Sequence, residues 1–155
     1  MQTKNKFNST PNQKIGDIYY SRSCAVTVHL YNIISVQPKI LALKRGNTTD
    51  CPYLWNLPCG YIDWDESAGR AAFREVWEES NIDLYAENLN PNVQPIYVNS
   101  DPTSNRQNIT LHYQFIIRDY LKNPNFLNCE HGEVVDSRWL TYADLLKEDS
   151  KEWGI

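Results

Sequence analysis

Three glutamates, Glu75, Glu78 and Glu79, recur at i, i+3 and i+4 within residues 67 to 80, the clearest helical stretch of the chain. At 100° per residue, Phe73, Val76 and Trp77 fall on one side of that helix, which is expected to pack on a sheet. The three carboxylates fall roughly opposite. Like charges at this spacing repel, so a helix that keeps three of them on one face is expected to hold something positive there. Carboxylate oxygens are ligands of hard cations, and Mg²⁺ commonly takes a few of them together with phosphate oxygens and water.

The rest of the chain supplies a sheet for that helix. Strand-like runs cover Cys24 to Ile34 and Lys39 to Lys44, which read as a hairpin. Tyr61–Ile62 and Ile96 to Val98 read as short strands. Ile109, Leu111, Tyr113, Phe115 and Ile117 alternate cleanly, and Val134 to Leu140 makes a last strand before a closing helix, Tyr142 to Lys147. Residues 1 to 14 read as a polar arm and 15 to 155 as one α/β domain whose strands are mostly antiparallel neighbours. At 155 residues and 41% hydrophobic, the chain can bury one core.

Charge and cysteine usage exclude several classes. A net charge of −4 without a basic block argues against long nucleic acid as a partner. No apolar run approaches the roughly 20 residues of a membrane span. The polar N-terminus lacks the apolar core of a secretory signal, so a cytoplasmic protein is expected. Cys24, Cys51, Cys59 and Cys129 form no C-x-x-C pair, which disfavours a zinc site or a disulfide framework.

A carboxylate-held cation suits chemistry on a pyrophosphate. Divalent ions neutralise its oxygens and lower the pKa of a bound water, and a nearby carboxylate can take that water's proton. Gly60 would bring backbone close to the metals, with the Cys59 carbonyl as a further ligand.

The segment from Gly60 to Ile82 resembles the Nudix box, G-x5-E-x7-R-E-U-x-E-E-x-G-U with U aliphatic. Gly60, Glu66, Arg74, Glu75, Val76, Glu78, Glu79 and Ile82 all match. Asn81 replaces a glycine, at what reads as a left-handed residue closing the helix, where Asn is the next-best occupant. Leu57 to Gly60 looks like the family's lead-in to the box, with Cys59 in place of its first glycine. Glu133 resembles a loop glutamate that in many members reaches the metals or acts as base. The likeness spans residues 24 to 147 at fold level and is specific over 57 to 82.

The resemblance implies an α/β/α sandwich with a mixed, largely antiparallel sheet. It also implies metal ligation by Glu78 and Glu79, with Glu75 sharing metal binding or base duty, and an ion pair between Arg74 and Glu66 that locks the loop against the helix. The implied cofactor is Mg²⁺, with Mn²⁺ as a substitute, and many relatives are homodimers. The implied reaction is hydrolysis of a nucleoside diphosphate linked to another moiety. ADP-ribose or a nucleotide sugar is favoured, with nucleoside triphosphates and dinucleoside polyphosphates behind. Pro95 and Tyr97 fall close to, but not on, positions that divide the family's substrate groups, so they do not choose. Two other readings stand beside this one, a non-catalytic nucleotide-sensing module and an RNA 5′-end pyrophosphohydrolase.

Arg45 and Arg106 are expected phosphate contacts, and Tyr53, Trp55, Trp64 and Tyr97 expected stacking partners for a base. His29 and His112 lie in strands and read as satisfied core or surface residues. His131 shares the Glu133 loop without a pattern behind it, and no His or Asp at a known spacing from Cys59 supports reading it as a nucleophile.

Overall fold

The computed structural model describes residues 13–15, 18–20, 22–49, 51–102, 108–118, 123–129 and 132–147. Arg106 and His131 therefore lie outside the described residues, as do the first twelve residues of the arm. A small hairpin of β1 (Gln13–Ile15) and β2 (Ile18–Tyr20) takes in the last two arm residues and stands apart from the main sheet. The main sheet holds β3 (Cys24–Asn32), β4 (Lys39–Arg45), β5 (Trp55–Asn56), β6 (Cys59–Tyr61), β7 (Tyr97–Asn99), β8 (Ile109–Ile117) and β9 (Val134–Thr141). Helix α1 spans Ala68–Ser80 and α2 spans Tyr142–Lys147.

The sheet is mixed and largely antiparallel. Its one parallel pairing among these strands is also its longest, with β3 and β8 in register from Cys24↔Ile109 to Asn32↔Ile117. The expected hairpin of β3 and β4 closes only at its tip, Tyr31↔Ile40 and Asn32↔Lys39. Beyond that the two strands splay. β4 continues against β9 and, at Leu43↔Asn56 and Lys44↔Trp55, against β5. β6 meanwhile fills the edge of β3 from Thr27↔Cys59 to Ala25↔Tyr61, after Val28 N–H has bonded the Pro58 carbonyl at 2.8 Å. Residues 55–61 thus bridge the opening between two diverging strands, and the cleft described below forms there.

Period-two alternation divides the two faces. Val26, Val28, Leu30, Leu41, Leu43, Tyr113, Phe115 and Ile117 are buried with Ala72, Phe73 and Val76 of α1. Ala42 points the other way, into a smaller cluster with Trp55, Leu140 and Leu145 of α2. The sheet therefore lies between helices, an α/β/α sandwich.

Helix α1 differs from the simple wheel in two places. Trp77 is 46% exposed, not core, while Glu75 is only 8% exposed. The helix meets the sheet through a stripe of Ala72, Phe73 and Val76, which leaves Trp77 at its outer margin. On the other margin the β6 backbone covers Glu75. Ser67 caps the N-terminus by accepting from Arg70 N–H at 3.4 Å. Asn81 closes the C-terminus in the left-handed region, φ 57° and ψ 22°, and its N–H reaches the Trp77 carbonyl at 2.8 Å.

Candidate active site

A polar cleft of about 650 Å³ opens at the splay of β3 and β4. It gathers side chains from four separated stretches. Helix α1 gives Arg74, Glu75, Glu78 and Glu79, and the loop and strand before it give Cys59, Gly60, Tyr61 and Asp63. Arg45 and Asn56 line it from β4 and β5, Thr49 from the turn between them, and Asn128 and Glu133 from the segment before β9. Among the described residues, every expected catalytic, metal-binding and phosphate-contact residue lines this cleft, as do Gly60 and Arg74, while Glu66 lies behind Arg74.

Arg74 is the hub of the box. Its Nη2 donates to Glu66 Oε1 at 2.7 Å and to the Tyr61 carbonyl at 2.9 Å, and its Nη1 donates to Glu75 Oε1 at 2.7 Å and Glu78 Oε2 at 3.0 Å. Asp63 N–H donates to the same Glu66 oxygen at 2.8 Å. Burial would raise the Glu66 carboxyl, but the bonds from Arg74 and Asp63 outweigh it and hold the carboxyl below its ordinary range. The guanidinium is held still more firmly protonated by Glu66 and Glu75. The ion pair thus ties the loop after β6 to the helix.

Gly60 is needed for close approach. A Cβ there would stand 2.1 Å from Glu75 Oε1, so any larger residue would drive that carboxylate from its place. One residue earlier, Cys59 N–H donates to Glu79 Oε2 at 2.9 Å.

The electrostatics are unbalanced. Burial pushes the Glu75 carboxyl up to about 7, against the pull of Arg74, with Glu78 and Glu133 adding repulsion. Burial also raises Glu79 well above the carboxylate range, with repulsion from Glu75 and Glu133 outweighing the Cys59 N–H bond and Arg45. Burial, then Glu79 and Glu133, pushes the Cys129 thiol up to about 12, so it stays protonated and donates to Glu133 Oε2 at 3.7 Å. Five carboxylates and two arginines line the cleft and leave it with surplus negative charge.

Among the described residues, no three His, Cys, Asp or Glu side chains are drawn together closely enough to enclose a cation. In this arrangement Arg74 Nη1 lies between Glu75 and Glu78, and Glu79 is bonded to Cys59. The donor set nevertheless fits a hard divalent ion by its chemistry, with anionic oxygens, partial burial and unmet negative charge.

Several cleft residues gave no signal in the sequence. Thr49, Asn56, Tyr61, Asp63 and Asn128 come from loops or short strands whose partners are distant. The Asn56 amide, with its nitrogen toward the Leu43 carbonyl at 3.0 Å, accepts from Arg45 Nη1 at 3.1 Å. The expected stacking aromatics divide differently from expectation. Trp55 is core, with Lys44 Nζ and Arg138 Cζ lying 5.6 and 5.3 Å from its ring centre. Trp64, Tyr53 and Tyr97 are exposed but do not line the cleft, whereas Tyr61, 58% exposed, does.

A family model described as NUDIX domain matches residues 25–154. No curated protein matches the chain. Solved structures share the fold. The NUDIX domain of Shewanella oneidensis NrtR, complexed with ADP ribose, has a TM-score of 0.63 at 21% identity, over 86% of this chain and 82% of that one. An Ap4A hydrolase of C. elegans has a TM-score of 0.62 at 18% identity, over 81% and 84%. A bifunctional NMN adenylyltransferase/ADP ribose pyrophosphatase from Francisella tularensis, complexed with AMP and Mn ion, has a TM-score of 0.61 at 20% identity. That match covers 85% of this chain and 37% of the longer one. With the family model matched over most of its length, the chain belongs to the Nudix family of pyrophosphohydrolases.

Proposed function

We propose that this chain hydrolyses the pyrophosphate bond of a nucleoside diphosphate linked to another moiety, ADP-ribose or a nucleotide sugar before a nucleoside triphosphate or a dinucleoside polyphosphate, with Mg²⁺ or Mn²⁺. The observation that carries this reading is the surplus of carboxylates in one partly buried cleft. A cleft that holds Glu75 and Glu79 above their ordinary range is costly until positive charge arrives.

Glu75, Glu78 and Glu79 would hold the ion, with the Cys59 carbonyl as a further ligand. When bound, it neutralises phosphate oxygens and makes a water more acidic. Glu133, at the opposite lip, is suited to take that water's proton, with Glu75 as the other base available. Arg45 lies in the same cleft, where a guanidinium can take two phosphate oxygens at once. Tyr61 offers a ring at the rim for a base or sugar. Arg74 and Glu66 hold the loop in place and take no part in proton transfer.

The test is turnover against ADP-ribose, sugar nucleotides, dinucleoside polyphosphates, nucleoside triphosphates and triphosphorylated RNA, with Mg²⁺ and with EDTA. We expect turnover of a nucleoside diphosphate derivative that EDTA abolishes. Nucleotide binding without turnover would overturn catalysis in favour of a sensing module. Turnover of the RNA alone would move the assignment to RNA 5′ ends.

A further inference from the structure

Glu133 differs from the other cleft carboxylates in its support. Glu75 and Glu79 stand on a helix, whereas Glu133 is an exposed residue just before β9. A base misplaced by an ångström loses much of its effect, so something has to fix it.

We propose that residues 46–49, directly after β4, set the reach of Glu133 into the cleft, with Gly46 and Thr48 as positioning residues. This rests on the role for Glu133 given above. Three contacts join the two segments. Gly46 N–H donates to the Glu133 carbonyl at 2.7 Å. Thr48 Oγ1 donates to the Gly132 carbonyl at 2.8 Å. The backbones also touch where they cross, because a Cβ on Gly46 would lie 1.6 Å from the Gly132 oxygen. Gly132 itself has φ +90°, which favours glycine, and Thr48 closes the space beside it.

The same turn holds the cleft arginine. Arg45 Nε donates to Thr49 Oγ1 at 3.3 Å, and Thr49 Oγ1 donates to the Gly46 carbonyl at 3.0 Å. A phosphate-binding cation and a proton acceptor are thereby fixed by one short loop, at a constant offset from each other. Gly46 has no positive φ, and the atoms nearest to an alanine Cβ there all belong to the Gly132 backbone. The substitution is therefore a wedge aimed at the Glu133 segment.

The experiment compares Gly46→Ala, Thr48→Val and Thr48→Ser, each alone and with Glu133→Gln, on the compound that the nucleotide panel identifies as substrate. Gly46→Ala should lower kcat by about tenfold or more with KM little changed, and Thr48→Val by a few fold. Thr48→Ser, which keeps the hydroxyl, should recover the wild-type rate. In the Glu133→Gln background neither substitution should cost more, because both act through that residue. Loss of activity in Glu133→Gln with full activity in Gly46→Ala and Thr48→Val would leave the base assigned and overturn the latch. Full activity in Glu133→Gln would overturn both. Amide exchange supplies a reading without turnover, and decides the matter if Gly46→Ala does not fold. In Thr48→Val, exchange in residues 45–49 and 132–134 should rise together, and unchanged exchange in either would overturn the latch.

Discussion

Among the described residues, two clusters of like titratable groups are half-buried, and they meet burial differently. On the sheet face away from α1, His29 Nε2 lies 3.1 Å from His112 Nδ1, with Tyr97 beside the second ring at 5.3 Å between centroids. Burial lowers both imidazoles, and for His29 the neighbouring His112 adds to it. A neutral imidazole has one donor and one acceptor, so one ring can donate to the other without any charge left over. In the cleft, carboxylates cannot do this. Glu75, Glu78, Glu79 and Glu133 are acceptors when ionised, and the donors at hand, Arg74, Arg45 and the Cys59 N–H, leave charge over. A buried polar cluster points to a ligand when its members cannot satisfy one another, and burial alone does not.

The sharpest way to break that contrast is to remove one carboxylate. Glu79→Gln keeps the shape and one acceptor but removes a desolvated charge. We expect kcat/KM to fall by about a hundredfold or more, while the metal-free protein melts higher than wild type. Activity within a few fold of wild type would mean that the charge surplus serves no cation.

The second effect is on stability against pH. Glu75 is raised from 4.5 to about 7, so between these values the folded protein holds a proton that the unfolded chain has lost. The Glu75 contribution to the stability of the metal-free protein should therefore fall as pH rises from 4.5 to about 7. Mg²⁺ should raise the melting temperature more at pH 8 than at pH 6, since binding competes with that proton. An equal rise at both pH values would count against Glu75 as a ligand.

The histidine pair should show the smallest effect, with the opposite sign. Its lowered groups contribute stability that is present above the unfolded value of 6.5 and lost as pH falls through the folded one. His112→Phe should flatten the melting temperature between pH 7 and 5 and leave turnover at pH 8 as in wild type. A large loss of turnover would show that the self-satisfied pair is coupled to the cleft after all.

Local pattern made much of the fold legible. The alternation of Ile109 to Ile117 marked β8 to the residue, and Tyr142 to Lys147 marked α2. Asn81 signalled a left-handed helix end because short polar side chains tolerate that backbone at low cost. Other features had no local trace. A helical wheel assumes one partner surface, so it put Trp77 inside and Glu75 outside. The β6 backbone, crossing one helix flank through Gly60, covered Glu75, while the stripe of Ala72, Phe73 and Val76 left Trp77 at the other margin. The β3–β4 hairpin was read whole because adjacent strands usually pair, whereas the parallel partner β8 and the inserted β6 take most of the edges of β3.

The sequence by itself determined the helix, its left-handed end at Asn81, the three glutamates and the offsets of Gly60, Glu66 and Arg74, and these were enough for the family. Such features repeat over one or two turns, and short-range sterics and hydrogen bonding decide them. Only the tertiary structure decided that Arg45, Asn56, Asn128 and Glu133 would face those glutamates across one cleft. It also decided which carboxylates lose water. Desolvation depends on what other segments bring to a surface, and residues 46–49 reach the Glu133 segment across more than eighty positions. No local spacing encodes that distance.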